Sequence, residues 1–234
     1  MGRERKVTVI LGAPGMGKTA LVKRVVAAYQ RQHGAKSVRA LDPSGALPGL
    51  GEWPGRRNTT AWIEELTAEG EGPGAGGWGP GLLVLDDADR YLLPMSLDAW
   101  RDVWLANRHL GLDVIVTGHR APALPKDLLG AASEFWLFAQ EEVRALDYLA
   151  SIPTLRGAFK GIASPLPTVK GLALRVVPAT RSVQLMRIWP GADERAGVPN
   201  VQATEDDDDD EAFDESDGKY VDGVWVPAAE ELKR

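Results

Sequence analysis

The sequence has 234 residues and no cysteine, which excludes disulfides and thiolate metal sites. Its three histidines do not have the spacing of metal ligands. No segment approaches the ~20 apolar residues that span a bilayer, and the apolar run near the N-terminus is too short for a signal peptide, so we expect no membrane span. The net charge of −6 is unevenly distributed: residues 201–234 carry 13 acidic and 3 basic residues, whereas residues 1–200 carry 20 acidic and 24 basic residues. Because residues 1–200 are mildly basic, they permit contact with nucleic acid without requiring it.

Apolar strands and amphipathic helices alternate along the first 150 residues. This alternation predicts an α/β fold, with a mostly parallel sheet flanked by helices. The predicted strands are 7–11, 37–41, 81–85, 113–117 and 134–138. The predicted helices are 18–32, 59–69, 97–110 and 140–150, and the segment 125–131 is predicted as a short helix or a turn.

After residue 160 the pattern changes. Two predicted strands, at 170–177 and 181–189, flank a Pro-Ala-Thr segment and indicate a hairpin. The run DDDDDE at 206–211 predicts disorder by charge repulsion, and YVDGVWV at 220–226 carries an Asp-Gly turn signal. We therefore predict a core at 1–160, a C-terminal β hairpin packed on it at 161–190, and an acidic, largely disordered tail at 191–234.

The stretch GAPGMGKT lies between the first predicted strand and the first helix, and it matches the phosphate-loop pattern G-x-x-x-x-G-K-[ST]. Its glycines let backbone N–H groups point at phosphate oxygens, and the dipole of the following helix faces the same anion. We expect the Lys18 ammonium to reach the β- and γ-phosphates and the Thr19 hydroxyl to bind Mg²⁺. ATP and Mg²⁺ are thus the predicted cofactors, and the nucleotide-binding residues are Gly12, Ala13, Pro14, Gly15, Met16, Gly17, Lys18 and Thr19.

The acidic pair Asp86-Asp87 follows the buried strand at 81–85. Because the carboxyl ends of parallel strands form one edge of a sheet, we expect this pair to face the phosphate loop. Asp86 is the candidate Mg²⁺ ligand, and Asp87 is the candidate catalytic base that polarises the attacking water. Many ATPases have glutamate at the second position, so Asp87 would have to reach further, through a second water for example. A solvated strand end is the alternative interpretation.

The segment TGHR follows the next predicted strand. Motor ATPases have a polar side chain here that senses the γ-phosphate, and Thr117 and His119 are the candidates. An ordinary polar loop is the alternative.

An arginine from a neighbouring subunit can stabilise charge that develops on the transferred phosphoryl group. Arg108, at the end of the helix predicted at 97–110, is the candidate for that role. An ordinary surface arginine is the alternative, and the rival candidates are Arg90, Arg101 and Arg120.

The order GAPGMGKT, LLVLDDADR, NRHLGLDVIVTGHRAP and LPKDLLGAASEFWLFAQEE resembles the HerA/FtsK superfamily of DNA-pumping P-loop ATPases over about residues 5–150. That superfamily has an R-x-x-G-[IL] turn, matched by Arg108 and Gly111-Leu112, and then a T-Q-R-P-like motif. Gly118-His119 stands where that motif has glutamine, so His119 is the candidate substitute sensor. The small size is similar to genome-packaging ATPases of membrane-containing icosahedral viruses, and the RH-GLD stretch resembles zonular-occludens-toxin-like phage ATPases.

The resemblance implies a P-loop NTPase fold and an ATP-hydrolysing nucleic-acid translocase, specifically a viral motor that pumps DNA into a preformed capsid. It further implies a homo-oligomeric ring, a hexamer or a pentamer, that binds DNA independently of sequence. Capsid or virion vertex proteins would be further partners, and the protein would be found in the host cytoplasm and on the virion. Arg56-Arg57, in a Gly-rich loop, are candidates for pore contacts with phosphates, with a solvated loop as the alternative.

A second interpretation is an ATPase switch or loader of the AAA+ type that drives protein assembly, because LLVLDDADR also resembles those proteins. Residues 140–234 show no clear helical lid, which argues against it. A small-molecule kinase would carry an Arg-rich lid segment, and none stands out. Stimulation of ATP turnover by DNA separates the first two interpretations.

Overall fold

The computed structural model describes residues 5–55, 58–68, 81–92, 98–107, 109–139, 144–160, 162, 166, 168–188, 218–221 and 224–227. The strands are β1 (Val7–Leu11), β2 (Val38–Leu41), β3 (Gly51–Glu52), β4 (Gly81–Leu85), β5 (Leu112–Gly118), β6 (Glu134–Leu137), β7 (Leu172–Val177), β8 (Ser182–Arg187), β9 (Gly218–Val221) and β10 (Val224–Pro227). The helices are α1 (Lys18–His33), α2 (Thr59–Ala68), α3 (Asp98–Leu105), α4 (Lys126–Ala131), α5 (Ala145–Ser151) and α6 (Arg156–Phe159).

Eight strands form one mixed sheet in the order β3-β2-β4-β5-β1-β6-β7-β8. The six strands from β3 to β6 are parallel, and β7 and β8 extend the sheet as an antiparallel hairpin. The predicted mostly parallel sheet flanked by helices is therefore confirmed. Because β5 lies between β1 and β4, its carboxyl end separates the phosphate loop from the acidic pair.

Alternate residues of the central strands pack on opposite faces of the sheet, as the period of two requires. On β4, Leu82 and Val84 face the core that includes α1, whereas Leu83 and Leu85 face the core on the other side. The α1 side chains in the first core are Leu21, Val22, Val25, Val26 and Tyr29. The helices α2 to α6 contribute to the second core through Ile63, Trp104, Leu128, Leu149 and Phe159.

One predicted helix is shorter than expected. The helix predicted at 97–110 ends at Leu105 because the chain then turns back toward β5. The N–H of Leu112 donates to the carbonyl of Asn107 (2.9 Å), and the Asn107 side-chain amide donates to the carbonyl of Leu112 (3.2 Å). Gly111, at φ 66°, supplies the left-handed residue of this turn.

The helix predicted at 140–150 begins at Ala145 in the described chain, and residues 140–143 of that prediction lie outside it. The predicted hairpin at 170–189 is present as β7 and β8. The division into core, hairpin and tail stays a prediction, since most of 191–234 lies outside the described residues, the DDDDDE run included. Within that region β9 and β10 pair as antiparallel strands, on either side of the Asp-Gly signal.

None of the helices in the described ranges combines the length and the apolar character that crossing a bilayer requires.

A buried charge cluster joins the antiparallel hairpin to the parallel sheet. The carboxylate of Glu134, only 2% exposed, accepts hydrogen bonds from Arg175 Nε (2.6 Å) and Trp136 Nε1 (2.8 Å). The guanidinium of Arg175 also lies 6.0 Å from the centre of the Trp136 ring. Arg175 on β7 thus compensates a carboxylate that β6 buries.

We expect Arg175→Ala to lower the free energy of unfolding by about 3 kcal/mol, because it leaves a buried carboxylate without its cation. Urea unfolding followed by circular dichroism measures the change. Arg156→Ala removes an exposed arginine and serves as the matched control, with an expected change within about 0.5 kcal/mol. Equal stabilities of the two variants would show that the ion pair contributes nothing.

Candidate nucleotide site

The phosphate loop connects β1 to α1 and depends on glycine at three positions. Gly15 and Gly17 have φ of 75° and 110°, in the left-handed region that other residues rarely adopt. At Gly12 a Cβ atom would lie 2.6 Å from Cβ of Phe138, which is closer than two non-bonded carbon atoms can approach. The loop therefore passes directly over the end of β6, and a side chain at position 12 would displace it.

Backbone hydrogen bonds fix this loop to the two strands that flank β1. The N–H of Gly12 donates to the carbonyl of Gly118 at the end of β5 (3.2 Å). The N–H of Ala13 donates to the carbonyl of Ala139 just after β6 (2.7 Å). The loop is thus placed in register with the carboxyl ends of both neighbours, before any ligand contributes.

The segment that leads into β7 holds the far side of the loop. The N–H of Gly171 donates to the carbonyl of Met16 (3.1 Å), and the carbonyl of Gly171 accepts from the N–H of Ile188 (2.8 Å). The antiparallel hairpin therefore contacts the phosphate loop as well as extending the sheet.

The ammonium of Lys18 lies within the loop and is 6% exposed. Its Nζ donates to two loop carbonyls, those of Gly12 (2.7 Å) and Ala13 (3.2 Å). Burial lowers the pKa of Lys18, and the carboxylates of Asp87, Asp86 and Asp89 oppose that shift without cancelling it. Lys18 is thus close enough to the carboxylates that follow β4 for their charges to raise its pKa.

The hydroxyl of Thr117 links the two residues of the acidic pair. It donates to Asp86 Oδ1 (2.6 Å) and accepts from the N–H of Asp87 (2.8 Å). Thr117 is fully buried and Asp86 is 2% exposed. The backbone of Asp87 is left-handed, at φ 46° and ψ 45°, so this N–H contact helps to hold an unfavourable conformation.

Burial raises the pKa of Asp86, and the negative charges of Asp87 and Asp42 add to the rise. The hydrogen bond from Thr117 and the charge of Lys18 act in the opposite direction. A buried carboxylate that neighbouring anions destabilise favours a cation, and an oxygen donor set of this kind suits Mg²⁺. The residues present therefore fit the predicted metal role of Asp86, with the half-buried Thr19 in the first turn of α1.

His119 lies among the carboxylates that follow β4. Its Nδ1 is 3.2 Å and its backbone nitrogen 3.1 Å from Oδ2 of Asp89, and its Nε2 is 3.7 Å from Oδ1 of Asp87. The other oxygen of Asp87 is paired with the exposed guanidinium of Arg90 (3.4 Å). These three side chains, Asp87, Asp89 and His119, offer ligand atoms within 4.8 Å of one another.

The structure thus brings most of the predicted site residues to one edge of the sheet: the phosphate loop, Asp86, Asp87, Thr117 and His119. Their catalytic and ligand roles stay predictions. Two other predictions, Arg108 as the arginine acting in a neighbouring subunit and Arg56-Arg57 as pore residues, fall outside the described residues.

Sequence reasoning missed two carboxylates of this edge. Asp42 follows β2, is 4% exposed, and accepts from the N–H groups of Leu47 (2.6 Å) and Ser44 (3.0 Å). Asp89, the third acid of the DDAD segment, holds His119. An acid directly after a predicted strand was the available signal for Asp42, whereas the contact of Asp89 depends on how β4 and β5 align.

Thr117→Val keeps the volume of this buried side chain but removes its hydroxyl, leaving the Asp86 carboxylate and the Asp87 N–H without their partner. We expect the free energy of unfolding to fall by about 3 kcal/mol at neutral pH, measured by urea unfolding without divalent cations. The pKa of Asp86 should rise further in the variant, so the folded state gains stability as the pH falls and the penalty shrinks in acid. Thr117→Ser, which keeps the hydroxyl, is the control; a penalty of the same size in both variants would rule out the hydroxyl as its cause.

No family model and no curated protein matches the sequence. Solved structures do match. The genome-packaging NTPase B204 of Sulfolobus turreted icosahedral virus 2, in complex with AMPPCP, matches with a TM-score of 0.60 at 16% identity, covering 77% of this chain and 96% of that one. The DNA-packaging ATPase B204 of Sulfolobus turreted icosahedral virus matches with a TM-score of 0.59 at 15% identity, covering 79% and 98%.

A secretion ATPase has a similar fold. EccC of Thermomonospora curvata (ATPases 2 and 3), in complex with a signal sequence peptide, matches with a TM-score of 0.55 at 14% identity, covering 78% of this chain and 36% of that one. At these identities the similarity establishes the fold. Together with the phosphate loop and the parallel sheet, it shows that the chain has the P-loop NTPase fold that viral genome-packaging NTPases and EccC share, as the resemblance of the motifs implied.

Proposed function

We propose that the protein is an ATP-hydrolysing nucleic-acid translocase, a viral genome-packaging motor that pumps DNA into a preformed capsid. The observation that carries the proposal is the continuous set of contacts from Lys18 and Gly12, through the end of β5, to Asp86 and Asp87. This set joins the phosphate loop to the acidic pair, of which Asp86 is buried, within a fold shared with packaging NTPases.

The residues at this edge divide the work of phosphoanhydride hydrolysis. The loop N–H groups and Lys18 would bind the triphosphate, Thr19 and Asp86 would hold Mg²⁺, and Asp87 would polarise the attacking water. Mg²⁺, when bound, neutralises charge on the phosphates. Thr117 places the two acids through its hydroxyl, and His119 is the candidate sensor from the next position on the rim.

The proposed motor acts as a homo-oligomeric ring, a hexamer or a pentamer, in which Arg108 completes the neighbouring site. The mild positive charge of residues 1–200 supports sequence-independent contact with DNA phosphates. Capsid or virion vertex proteins are further proposed partners, and the host cytoplasm and the virion are the proposed locations.

A second candidate is an ATPase that acts on protein, as a switch or loader. The similarity to EccC, solved with a signal sequence peptide, is the observation that favours it. The two candidates share the ATPase site and differ in what stimulates it.

ATP turnover with and without double-stranded DNA separates the two candidates. We expect DNA to raise turnover at low salt, and the stimulation to disappear as salt rises. A motor that contacts six or more phosphates loses affinity on the order of 10³-fold between about 50 and 200 mM salt. The packaging proposal fails if DNA leaves the rate unchanged at every salt concentration while a protein or peptide substrate raises it.

Lys18→Ala tests whether this ATP turnover comes from the candidate site. We expect turnover to fall on the order of 10²–10³-fold, because the variant loses the cation that would bind the triphosphate. The matched control is Lys23→Ala, which removes an exposed lysine from the same helix and should leave turnover unchanged. Turnover that persists in Lys18→Ala would come from a contaminating enzyme or another site.

Asp87→Asn should keep nucleotide binding and lose hydrolysis on the order of 10²–10⁴-fold, because the amide polarises water poorly. Equilibrium binding of a fluorescent ATP analogue and steady-state turnover measure the two properties separately. Substantial residual hydrolysis would remove Asp87 from the reaction.

A further inference from the structure

The carboxylate of Asp89 is committed to His119. One of its oxygens, Oδ2, lies 3.1 Å from the backbone nitrogen and 3.2 Å from Nδ1 of His119. Its other oxygen, Oδ1, is buried and has no hydrogen-bond partner among the described residues. Asp42, which is buried at the same edge, instead accepts from three donors of its own loop, including the N–H of Leu47. Asp42 thus stabilises a loop, whereas the described hydrogen bonds of Asp89 go to one residue, to the backbone and to the ring of His119.

This arrangement selects one tautomer of His119. An ionised carboxylate only accepts hydrogen bonds, so the Nδ1 atom beside Asp89 must carry the ring hydrogen. The Nε2 atom of the neutral ring then presents its lone pair, on the side of the ring that faces Asp87. A carboxylate holds the imidazole in the same way in the Ser-His-Asp triad, where the histidine is the general base.

The separation of His119 and Asp87 lets a water molecule beside them bridge the two side chains. Nε2 lies 3.7 Å from Asp87 Oδ1, beyond hydrogen-bond range, and both atoms are acceptors in this tautomer. A water can donate one hydrogen to each. The His119 side chain is 25% exposed, so solvent reaches it, and Arg90 occupies the other Asp87 oxygen.

The residue that precedes His119 contacts the phosphate loop. Gly118, the residue before His119, accepts the hydrogen bond from the N–H of Gly12. Lys18 in turn lies close enough to Asp87 and Asp89 for electrostatic interaction with both carboxylates. A water that bridges His119 and Asp87 would therefore lie on the rim that faces the nucleotide.

We propose that Asp89 and His119 form a proton-accepting pair at this site, with His119 the catalytic base and Asp89 the positioning residue; the inference rests on the proposed ATPase function. Asp87 Oδ1 orients the attacking water, whose oxygen forms a bond to the terminal phosphorus. The proton of that water moves to Nε2, and the bond from phosphorus to the bridging oxygen breaks, leaving its electron pair on the ADP oxygen. Asp89 stabilises the imidazolium, which then releases its proton to solvent. The longer reach of the imidazole compensates for an aspartate where many ATPases have glutamate.

The test compares steady-state turnover and ATP affinity in three variants. His119→Ala and Asp89→Asn should each lower kcat on the order of 10²–10⁴-fold while ATP still binds, since an amide in place of the Asp89 carboxylate favours the wrong tautomer. Added imidazole should restore part of the turnover of His119→Ala and none in Asp89→Asn. His119→Gln should stay inactive, because an amide hydrogen-bonds but accepts no proton. His109→Ala and Asp147→Asn make the same substitutions at exposed residues and are the matched controls, in which turnover should stay at the wild-type level.

Wild-type turnover in His119→Gln would identify His119 as a hydrogen-bonding sensor and overturn the pair. Turnover at the wild-type level in Asp89→Asn, which conserves shape, would do the same even if His119→Ala failed to fold. A folded, ATP-binding His119→Ala that imidazole does not rescue also counts against proton transfer. If the wild-type protein hydrolyses no ATP, with DNA or with a protein or peptide substrate, both the proposed function and the proposed Asp89–His119 pair are wrong. If Lys18→Ala abolishes a wild-type activity that the His119 and Asp89 variants retain, the pair fails alone.

Discussion

The hydroxyl of Thr117 is the interaction on which the candidate site depends. One oxygen atom donates to the buried Asp86 carboxylate and accepts from the N–H of Asp87, whose backbone is left-handed. Without it, a desolvated anion and a backbone donor would both lose their partner, and the strained turn after β4 would lose a restraint. The hydroxyl can reach both because β5 lies between β4 and β1. The strand order of the sheet therefore sets the geometry of the acids.

The antiparallel edge of the sheet supports the other half of the site. Gly171 donates to Met16 of the phosphate loop, and the hairpin places Met186 and Ile188 in the core that α1 shares. Glu134 and Arg175 connect this hairpin to β6, over whose end the loop passes at Gly12. The loop is thus held by β5, by β6 and by the segment before β7, so its shape depends on residues more than 150 positions away.

The sequence allowed the prediction of features that are local in the chain. The phosphate loop and the five main parallel strands depend on spacing, on glycine conformation and on apolar runs. The joining of Asp86, Thr117 and His119 at one rim followed from the rule that parallel strands end at one edge. What could not be predicted depends on register. Asp89 meets His119 across 30 residues, and the turn at Asn107 ends a helix whose apolar pattern continues beyond it.

The charges of the rim explain why nucleotide and metal must be considered together. Burial lowers the pKa of Lys18 despite three nearby carboxylates, so desolvation outweighs their attraction. Asp42 is different: burial would raise its pKa, but the hydrogen bonds from Leu47 and Ser44 prevail and keep the pKa low. It therefore remains ionised beside Asp86. A triphosphate that approached this edge alone would meet like charge, which a divalent cation offsets. Under the proposed function, the acidic rim would therefore favour a nucleotide that arrives with its metal, and the charge of that metal would stabilise the ionised form of the buried Asp86.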